Sequence, residues 1–245
     1  MIDTIKAVLE NTQNRTPMVH SITNNVTIND CANIILAAGG TAIMAQDERE
    51  VEEITSHAQA LVINMGAVRA QEAMLRAAKI AKQNGRPVVL DPVAAGASTL
   101  RREMCSRLLS ENLVSVIRGN ASEVRALAAG AEQETGVEAS ALDSVTEDNL
   151  QESAAWLRSF SRRTGAVVML TGAMDVTGVY CGANPDILLE AAVTASEVMK
   201  HCGETAEARV RKEMEGTASF RTRLIDAVSL LNADELTTNL CLQIL

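Results

Sequence analysis

Aromatic side chains are nearly absent from this sequence. Its 245 residues include one Trp, one Tyr and two Phe, and aromatic residues make up 2% of the chain. Proteins that bind single-stranded nucleic acid stack bases on aromatic rings, so this composition argues against that class. Hydrophobic residues nevertheless reach 47%, which is ordinary for a globular protein. The core must therefore be built from Ala, Val, Ile, Leu and Met.

The chain also lacks an excess of positive charge. It has 22 Lys and Arg against 31 Asp and Glu, which gives a net charge of -9. This balance argues against nucleic acid or an anionic membrane as the main partner, although it does not exclude a locally positive phosphate pocket.

Signals for secretion or membrane insertion are missing as well. No run of about 18 apolar residues occurs, and the N-terminal segment has no basic stretch followed by an apolar one. The five Cys residues are odd in number and form no Cys-x-x-Cys pair, which is typical of reduced thiols. We therefore expect a cytoplasmic protein.

Short apolar runs alternate with segments of helical periodicity along the chain. The apolar runs predict strands at residues 18–22, 41–45, 60–64, 87–91, 113–120 and 165–172. Helices are predicted at residues 27–40, 69–85, 100–112 and 146–160. This pattern indicates an α/β fold with a mostly parallel sheet covered by helices on both faces. No repeat or linker divides residues 1–245, so we expect a single domain.

Polar clusters follow five of the predicted strands. They read "HSITNN", "INMGA", "LDPVAAGA", "IRGNASE" and "LTGAMD". In open parallel sheets, ligands bind at the carboxyl ends of the strands. The agreement between these clusters and the strand ends predicts an active site along that edge.

Asp91 ends one predicted strand and precedes Pro92 and a run of small residues. Its carboxylate suits Mg²⁺, which keeps several waters and takes few direct carboxylate ligands. An Asp at this point can equally cap the next turn. From the sequence alone, both interpretations stand.

The stretch "RGNASE" (118–123) is more informative. Asn120 or Ser122 can cap a helix, and Glu123 then lies in its first turn, where the helix dipole favours an anion. Capping does not account for Arg118, whose guanidinium suits phosphate oxygens. We therefore predict that Arg118 contacts a nucleotide phosphate and that Glu123 joins Asp91 in holding a metal.

The stretch "HSITNNVTIND" (20–30) contains many amide and hydroxyl side chains before a predicted helix. Thr27 or Asn25 can serve as the N-cap, and the remaining side chains suit a polar pocket for a small neutral ligand. We expect His20 to be structural. Thr171, in the strand-end turn "LTG", is a weaker candidate for a phosphate contact.

As a set, these motifs resemble the hydroxyethylthiazole kinase family, thiazole-salvage enzymes with a ribokinase-like fold. The matching stretches are "VHSITNNVT", "GGTAIMA", "ALVINMGA", "VVLDPVAAGAS", "IRGNASEV", "MLTGAMDV" and "GTASFRTRLIDAVSLL". The resemblance implies Mg²⁺- and ATP-dependent phosphorylation of the primary alcohol of 4-methyl-5-(2-hydroxyethyl)thiazole, by a homotrimer with the thiazole site at a subunit boundary.

The resemblance also implies roles for individual positions. Met44 matches a thiazole contact, and Asn25 is a further candidate for substrate binding. Arg118 and Thr171 match ATP contacts. Asp91 and Glu123 match a pair of acidic residues near the metal and the phosphates.

One part of the family pattern is missing. In the family, a strand pair and a Gly-x-Gly-Cys turn precede a later helix, whereas here "TGAMDV" runs directly into "TGVYCGANPDILLEAA". We place the missing segment around residues 176–178. An alignment can put Gly178 in the lost turn, as a substrate contact, and Cys181 can be mistaken for the family Cys. We interpret both as residues of the later helix and assign no catalytic residue.

The missing turn leaves three hypotheses about function. The chain is an active kinase, a thiazole- or nucleotide-binding protein that has lost its anion hole, or an inert subunit that pairs with intact chains. Ligand binding without turnover would favour the second hypothesis, and no binding would favour the third.

Overall fold

The computed structural model of the chain describes residues 1–131, 149–170, 176–238 and 240. Within these residues the strands are β1 (Met18–Ile22), β2 (Thr41–Ile43), β3 (Ala60–Asn64), β4 (Val88–Asp91), β5 (Val116–Gly119) and β6 (Val167–Leu170). They form one sheet in the order β2-β1-β3-β4-β5-β6, and every neighbouring pair is parallel. The predicted α/β fold with a parallel sheet is confirmed.

Helices cover both faces of this sheet. Those in the described residues are α1 (Ile2–Arg15), α2 (Ile28–Ala37), α3 (Val51–His57), α4 (Gln71–Gln83), α5 (Thr99–Ser110), α6 (Ala121–Ala131), α7 (Leu150–Thr164), α8 (Val176–Ala183), α9 (Leu188–Glu213), α10 (Thr217–Leu230) and α11 (Ala233–Thr238). Helices α3 to α7 share one apolar core with the sheet, and α1, α2 and α8 to α11 share the other. None of these helices has the length and hydropathy needed to cross a membrane.

The central strand β3 shows why the strands are apolar without alternation. Leu61 and Ile63 belong to the core that includes α4, whereas Val62 belongs to the core that includes α8. Successive side chains of a strand point to opposite faces, so a strand covered on both faces needs apolar residues at every position. The polar residues are consequently pushed to the strand ends.

The predicted strand at 113–120 is shorter in the structure because α5 ends with a left-handed turn. Asn112 has a φ of 54°, and the Leu113 N–H donates to the Leu108 carbonyl at 3.0 Å. This bond closes the helix at Leu113, the first residue that the apolar pattern assigned to the strand. Strand β5 therefore begins at Val116.

Other predicted boundaries also shift. Strand β2 ends at Ile43, so Met44 and Ala45 lie beyond it. Helix α2 ends at Ala37, and a 3-10 turn over Val68–Ala70 precedes α4. The first residues of the predicted helix at 146–160 and the last two of the predicted strand at 165–172 lie outside the described residues.

Helix α8 packs unusually close to the sheet at Gly178. A Cβ atom on Gly178 would lie 2.5 Å from the Val62 Cγ2 atom and 3.2 Å from the Val19 Cγ1 atom. Any side chain at this position would push the helix away from β1 and β3. The close contact of α8 with the sheet therefore requires glycine at residue 178.

We predict that Gly178→Ala lowers the free energy of unfolding by about 1–3 kcal/mol, because overpacking a closed core costs this much. The matched control is Gly203→Ala in α9, where no heavy atom lies within 4 Å of the added Cβ. Because alanine favours helix over glycine, the control should gain up to about 1 kcal/mol. Urea denaturation measures both, and equal effects of the two substitutions would contradict the packing argument.

Candidate active site

The carboxyl ends of the parallel strands bring polar side chains to one edge of the sheet. Asn64 ends β3, Asp91 ends β4, and Arg118 is the next-to-last residue of β5. The strand register places Asn64 directly beside Asp91. The sequence separates these residues by 27 positions each, and the sheet brings them into contact.

Asp91 and Arg118 form a buried ion pair. The Arg118 Nη1 atom donates to Asp91 Oδ2 at 3.0 Å, and the two residues are 7% and 8% exposed, respectively. A charge so far from water needs a close partner of opposite sign. The structure thus joins the residues predicted to bind ATP and metal, and both of those roles stay predictions.

Asn64 connects this ion pair to two neighbouring turns. Its Nδ2 atom donates to Asp91 Oδ2 at 2.9 Å, and its Oδ1 atom accepts from the Gly66 N–H at 2.8 Å. The Asn24 Nδ2 atom lies 3.4 Å from the same Oδ1. The sequence analysis did not single out Asn64, although it ends a predicted strand in the cluster "INMGA".

Asn120 and Glu123 form a capping box at the start of α6. The Asn120 Oδ1 atom accepts from the Glu123 N–H at 2.9 Å, and Glu123 Oε2 accepts from the Asn120 N–H at 3.0 Å. Glu123 Oε1 also accepts from the Ala94 N–H at 3.4 Å, in the loop that follows Asp91. The capping interpretation therefore holds, and the same bonds keep the Glu123 carboxylate against the Asp91 loop.

The donor set at this point is compatible with Mg²⁺. Asp91 supplies a carboxylate from the end of β4 and Glu123 supplies one from the first turn of α6. Magnesium is commonly held by one or two carboxylates plus water and substrate phosphates. No group of three or more His, Cys, Asp and Glu side chains that could bind a metal occurs in the described residues. The site therefore does not resemble an all-protein metal cage.

A polar cleft of about 260 Å³ opens beside the β1–α2 and β3–α4 turns. Its lining residues are Thr23, Asn24, Asn25, Gln46, Gly66, Ala67, Val68 and Arg69. Gln46 joins two sides of the cleft, since its Nε2 atom donates to the Thr23 carbonyl at 2.5 Å. Of the predicted substrate residues, Asn25 lines this cleft.

The other predicted ligand contacts lie elsewhere. Met44 is half-buried and packs with the core formed by α1, α2 and α8 to α11. Gly178 lies inside α8 against the middle of the sheet. Thr171 falls outside the described residues, so its predicted ATP contact stays a prediction, as do the contacts predicted for Met44 and Gly178.

His20 is fully buried and bonded through both ring nitrogens, as expected for a structural residue. Its Nδ1 atom lies 2.8 Å from Thr55 Oγ1, and its Nε2 atom lies 2.9 Å from the Ala45 carbonyl. Burial lowers the pKa of His20 below its ordinary value, because the charged ring would lose its hydration. His20 thereby ties β1 to α3 and to the segment that precedes Gln46.

Cys181 lies in α8 and is fully buried in the apolar core. Burial raises its pKa to about 12, because a thiolate would be desolvated there. The thiolate is the reactive form of cysteine, so we expect this residue to be unreactive in the folded protein. Its position agrees with the interpretation of Cys181 as part of the later helix.

Comparisons with known proteins give a consistent result. The sequence model described as "Hydroxyethylthiazole kinase family" matches residues 9–179. The chain is 40% identical to a hydroxyethylthiazole kinase of Clostridium acetobutylicum, over 95% of this chain and 96% of that protein. It is 41% identical to the one of Desulfovibrio desulfuricans, over 92% of this chain and 93% of that protein.

A solved structure is similar over nearly its whole length. The hydroxyethylthiazole kinase protein from Pyrococcus horikoshii OT3 superposes with a TM-score of 0.77 at 27% identity, covering 97% of each chain. This likeness confirms the ribokinase-like fold that the sequence motifs implied.

The alignments also contain a gap in this chain. The alignment with the Clostridium acetobutylicum relative has 264 positions, whereas this chain has 245 residues, so at least 19 positions hold no residue of this chain. The family match ends at residue 179, inside α8.

We predict that Cys105, Cys181 and Cys202 resist alkylation in the native protein at pH 8, since burial raises the pKa of each to about 12. Mass spectrometry after iodoacetamide treatment measures this. The same treatment in urea should label all three, and Ser56→Cys on the exposed side of α3 supplies an accessible thiol as the control. Rapid labelling of native Cys181 would contradict its inert role.

Proposed function

We propose that this chain, which belongs to the hydroxyethylthiazole kinase family, transfers the terminal phosphoryl group of ATP to the primary alcohol of 4-methyl-5-(2-hydroxyethyl)thiazole in thiamine biosynthesis. The observation that carries the proposal is the family match over residues 9–179, with 40% identity to a relative over 95% of the chain. The polar carboxyl edge supports it, because parallel α/β sheets bind their ligands there.

The polar cleft is the part of this edge that suits the thiazole alcohol. Asn24, Asn25 and Gln46 offer amide donors and acceptors to a small neutral ligand. The cleft lies next to Asn64, which contacts Asp91. An alcohol held there would have its hydroxyl beside the carboxylate end of the site.

The Asp91–Arg118 pair and Glu123 suit the nucleotide end of the site. We propose that Arg118 and Thr171 contact ATP and that Asp91 and Glu123 hold Mg²⁺ through its waters. The metal would neutralise charge on the phosphate oxygens. Arg118 supplies a second positive charge, and its guanidinium matches phosphate geometry.

In the reaction, the substrate hydroxyl oxygen forms a bond to the γ-phosphorus while the bond from that phosphorus to the bridging oxygen of ADP breaks. The hydroxyl proton is lost to solvent or buffer, and ADP leaves with the electron pair. In phosphoryl transfer the protein mainly positions groups and stabilises charge. The cleft residues orient the alcohol, and Arg118 stabilises the negative charge of the phosphoryl oxygens.

We further propose that the segment missing relative to the family lies around residues 176–178 of a single domain spanning 1–245. The alignment gap of at least 19 positions supports a missing segment, and the family match ends at residue 179, close to the proposed location. We also propose a cytoplasmic homotrimer. ATP is supplied in the cytoplasm, and the resemblance to a family of trimers supports the subunit number.

The experiment that tests the function measures ADP release by the purified, mass-verified chain with Mg-ATP, with and without the thiazole alcohol. We expect ADP release that depends on the alcohol, and formation of the phosphorylated thiazole in equal amount. A folded protein that binds the alcohol but releases no ADP would overturn the proposal and leave a binding protein.

We predict that Glu123→Gln raises the Mg²⁺ concentration needed for half-maximal activity by about 10–100-fold, because a group that tunes the metal is lost. Glutamine can replace glutamate in a capping box, so folding stability should change by less than about 1 kcal/mol. Magnesium titrations of the rate and thermal melts measure the two effects.

The chain offers a matched control in Glu235→Gln. Asn232 and Glu235 repeat one bond of this cap at α11, where the Glu235 N–H donates to Asn232 Oδ1 at 2.8 Å. The Glu235 carboxylate accepts from the Asn232 side-chain amide at 3.4 Å and lies 3.3 Å from His201 Nε2. This second cap belongs to a helix of the other core, away from Asp91. An unchanged magnesium dependence in Glu123→Gln would mean that Glu123 serves only as a cap.

A further inference from the structure

Asn64 occupies a special place at the carboxyl edge. It is the last residue of β3 and is 6% exposed. One end of its amide faces Asp91 on the neighbouring strand, and the other end faces the turn that lines the polar cleft. It therefore touches both the proposed alcohol site and the proposed metal carboxylate.

The chemistry of the partners fixes the orientation of the Asn64 amide. The Gly66 N–H can only donate, so it must meet Oδ1, and an ionised Asp91 carboxylate can only accept, so it must meet Nδ2. The two bonds of 2.8 and 2.9 Å use opposite ends of one rigid planar group. The distance between the cleft turn and the carboxylate is thereby set by the length of the amide.

The surrounding backbone is shaped to admit this amide. A Cβ atom on Gly66 would lie 2.6 Å from Asn64 Oδ1 and 3.0 Å from Asn24 Nδ2. A residue larger than glycine at this position would displace both amides. The strand register also puts the Cα atoms of Asn64 and Asp91 side by side, so a short side chain spans the gap.

We propose that Asn64 is a positioning residue for phosphoryl transfer: it holds the Asp91 carboxylate at a fixed distance from the alcohol cleft. This inference rests on the function proposed above. Asn64 acts through its neighbours and contributes no group to the reacting atoms. Its two hydrogen bonds have separable consequences, since one orients Asp91 and the other shapes the cleft.

Two substitutions separate these consequences. Asn64→Asp keeps an oxygen for the Gly66 N–H but sets a second oxygen against Asp91, so the carboxylate must move. We expect kcat to fall about 10²-fold, the effect of a misplacement of about 1 Å, while KM for the alcohol stays within about threefold. Asn64→Ala loses both bonds, so it should lower kcat and also raise KM for the alcohol.

Asn184→Asp is the matched control. Asn184 is also buried, and its Nδ2 atom donates to the Val8 and Tyr180 carbonyls at 3.3 and 3.0 Å, between α1 and α8. The same chemical change there should lower the melting temperature while leaving kcat and KM unchanged in the folded protein. A loss of melting temperature without loss of kcat in Asn64→Asp, as in the control, would overturn the proposal.

Calorimetric binding of the thiazole alcohol gives a readout that does not need turnover. We expect wild type and Asn64→Asp to bind the alcohol alike and Asn64→Ala to bind it more weakly. If the wild-type chain shows no alcohol-dependent ADP release, the proposed function is refuted. The alcohol affinities of the three proteins would then still test whether Asn64 shapes the cleft. Equal binding by all three proteins would overturn the role of Asn64 in shaping the cleft.

Discussion

The buried ion pair between Asp91 and Arg118 constrains the whole carboxyl edge of the sheet. Removing one partner of such a pair typically costs about 3–5 kcal/mol, because the other charge remains buried without compensation. The pair joins the ends of β4 and β5, and Asn64 extends the network to β3. Side-chain hydrogen bonds thus hold three strand ends in register, in addition to the backbone hydrogen bonds of the sheet. The base of the site is rigid as a result.

Apolar side chains on both faces of the rest of the sheet offset the desolvation cost of the polar network. Two separate cores cover the sheet, and apart from Trp156, Phe160 and Tyr180 their buried members are aliphatic side chains, methionines and cysteines. This layout leaves the strand ends as the place where charged groups reach both a ligand and one another. The near absence of aromatic residues therefore affects the composition of the cores without affecting the site.

Much of the fold could be predicted because its strands are unbroken apolar runs. Strands β1 and β3 match the predicted residues 18–22 and 60–64. The start of β5 was predicted wrongly. Leu113 and Val114 continue an apolar run, but α5 closes at the left-handed Asn112 and the Leu113 N–H, and β5 begins only at Val116. An apolar pattern indicates which residues are buried, and these two residues are buried without being part of the strand.

The sequence indicated individual residues of the candidate site but not the hydrogen bonds that connect them. Asp91 and Arg118 are charged residues at strand ends, and Glu123 lies in the first turn of the next helix, so the sequence alone could indicate all three. Asn64 was missed because an Asn after a strand usually indicates only a turn. Its importance comes from the register that sets it beside Asp91, and a sequence without pairing information does not contain that fact.

The gap proposed around residues 176–178 concerns one end of the proposed site more than the other. The residues that line the polar cleft and the Asn64–Asp91–Arg118 network all precede position 176 in the chain. Helix α8 begins at Val176, six residues after β6 ends, and Gly178 in its first turn lies against Val62 and Val19. The N-terminus of a helix favours phosphate, because its first N–H groups lack helical partners. The residues proposed for the alcohol and the metal lie earlier in the chain, so the first turn of α8 is the part of the proposed site that the proposed gap affects most.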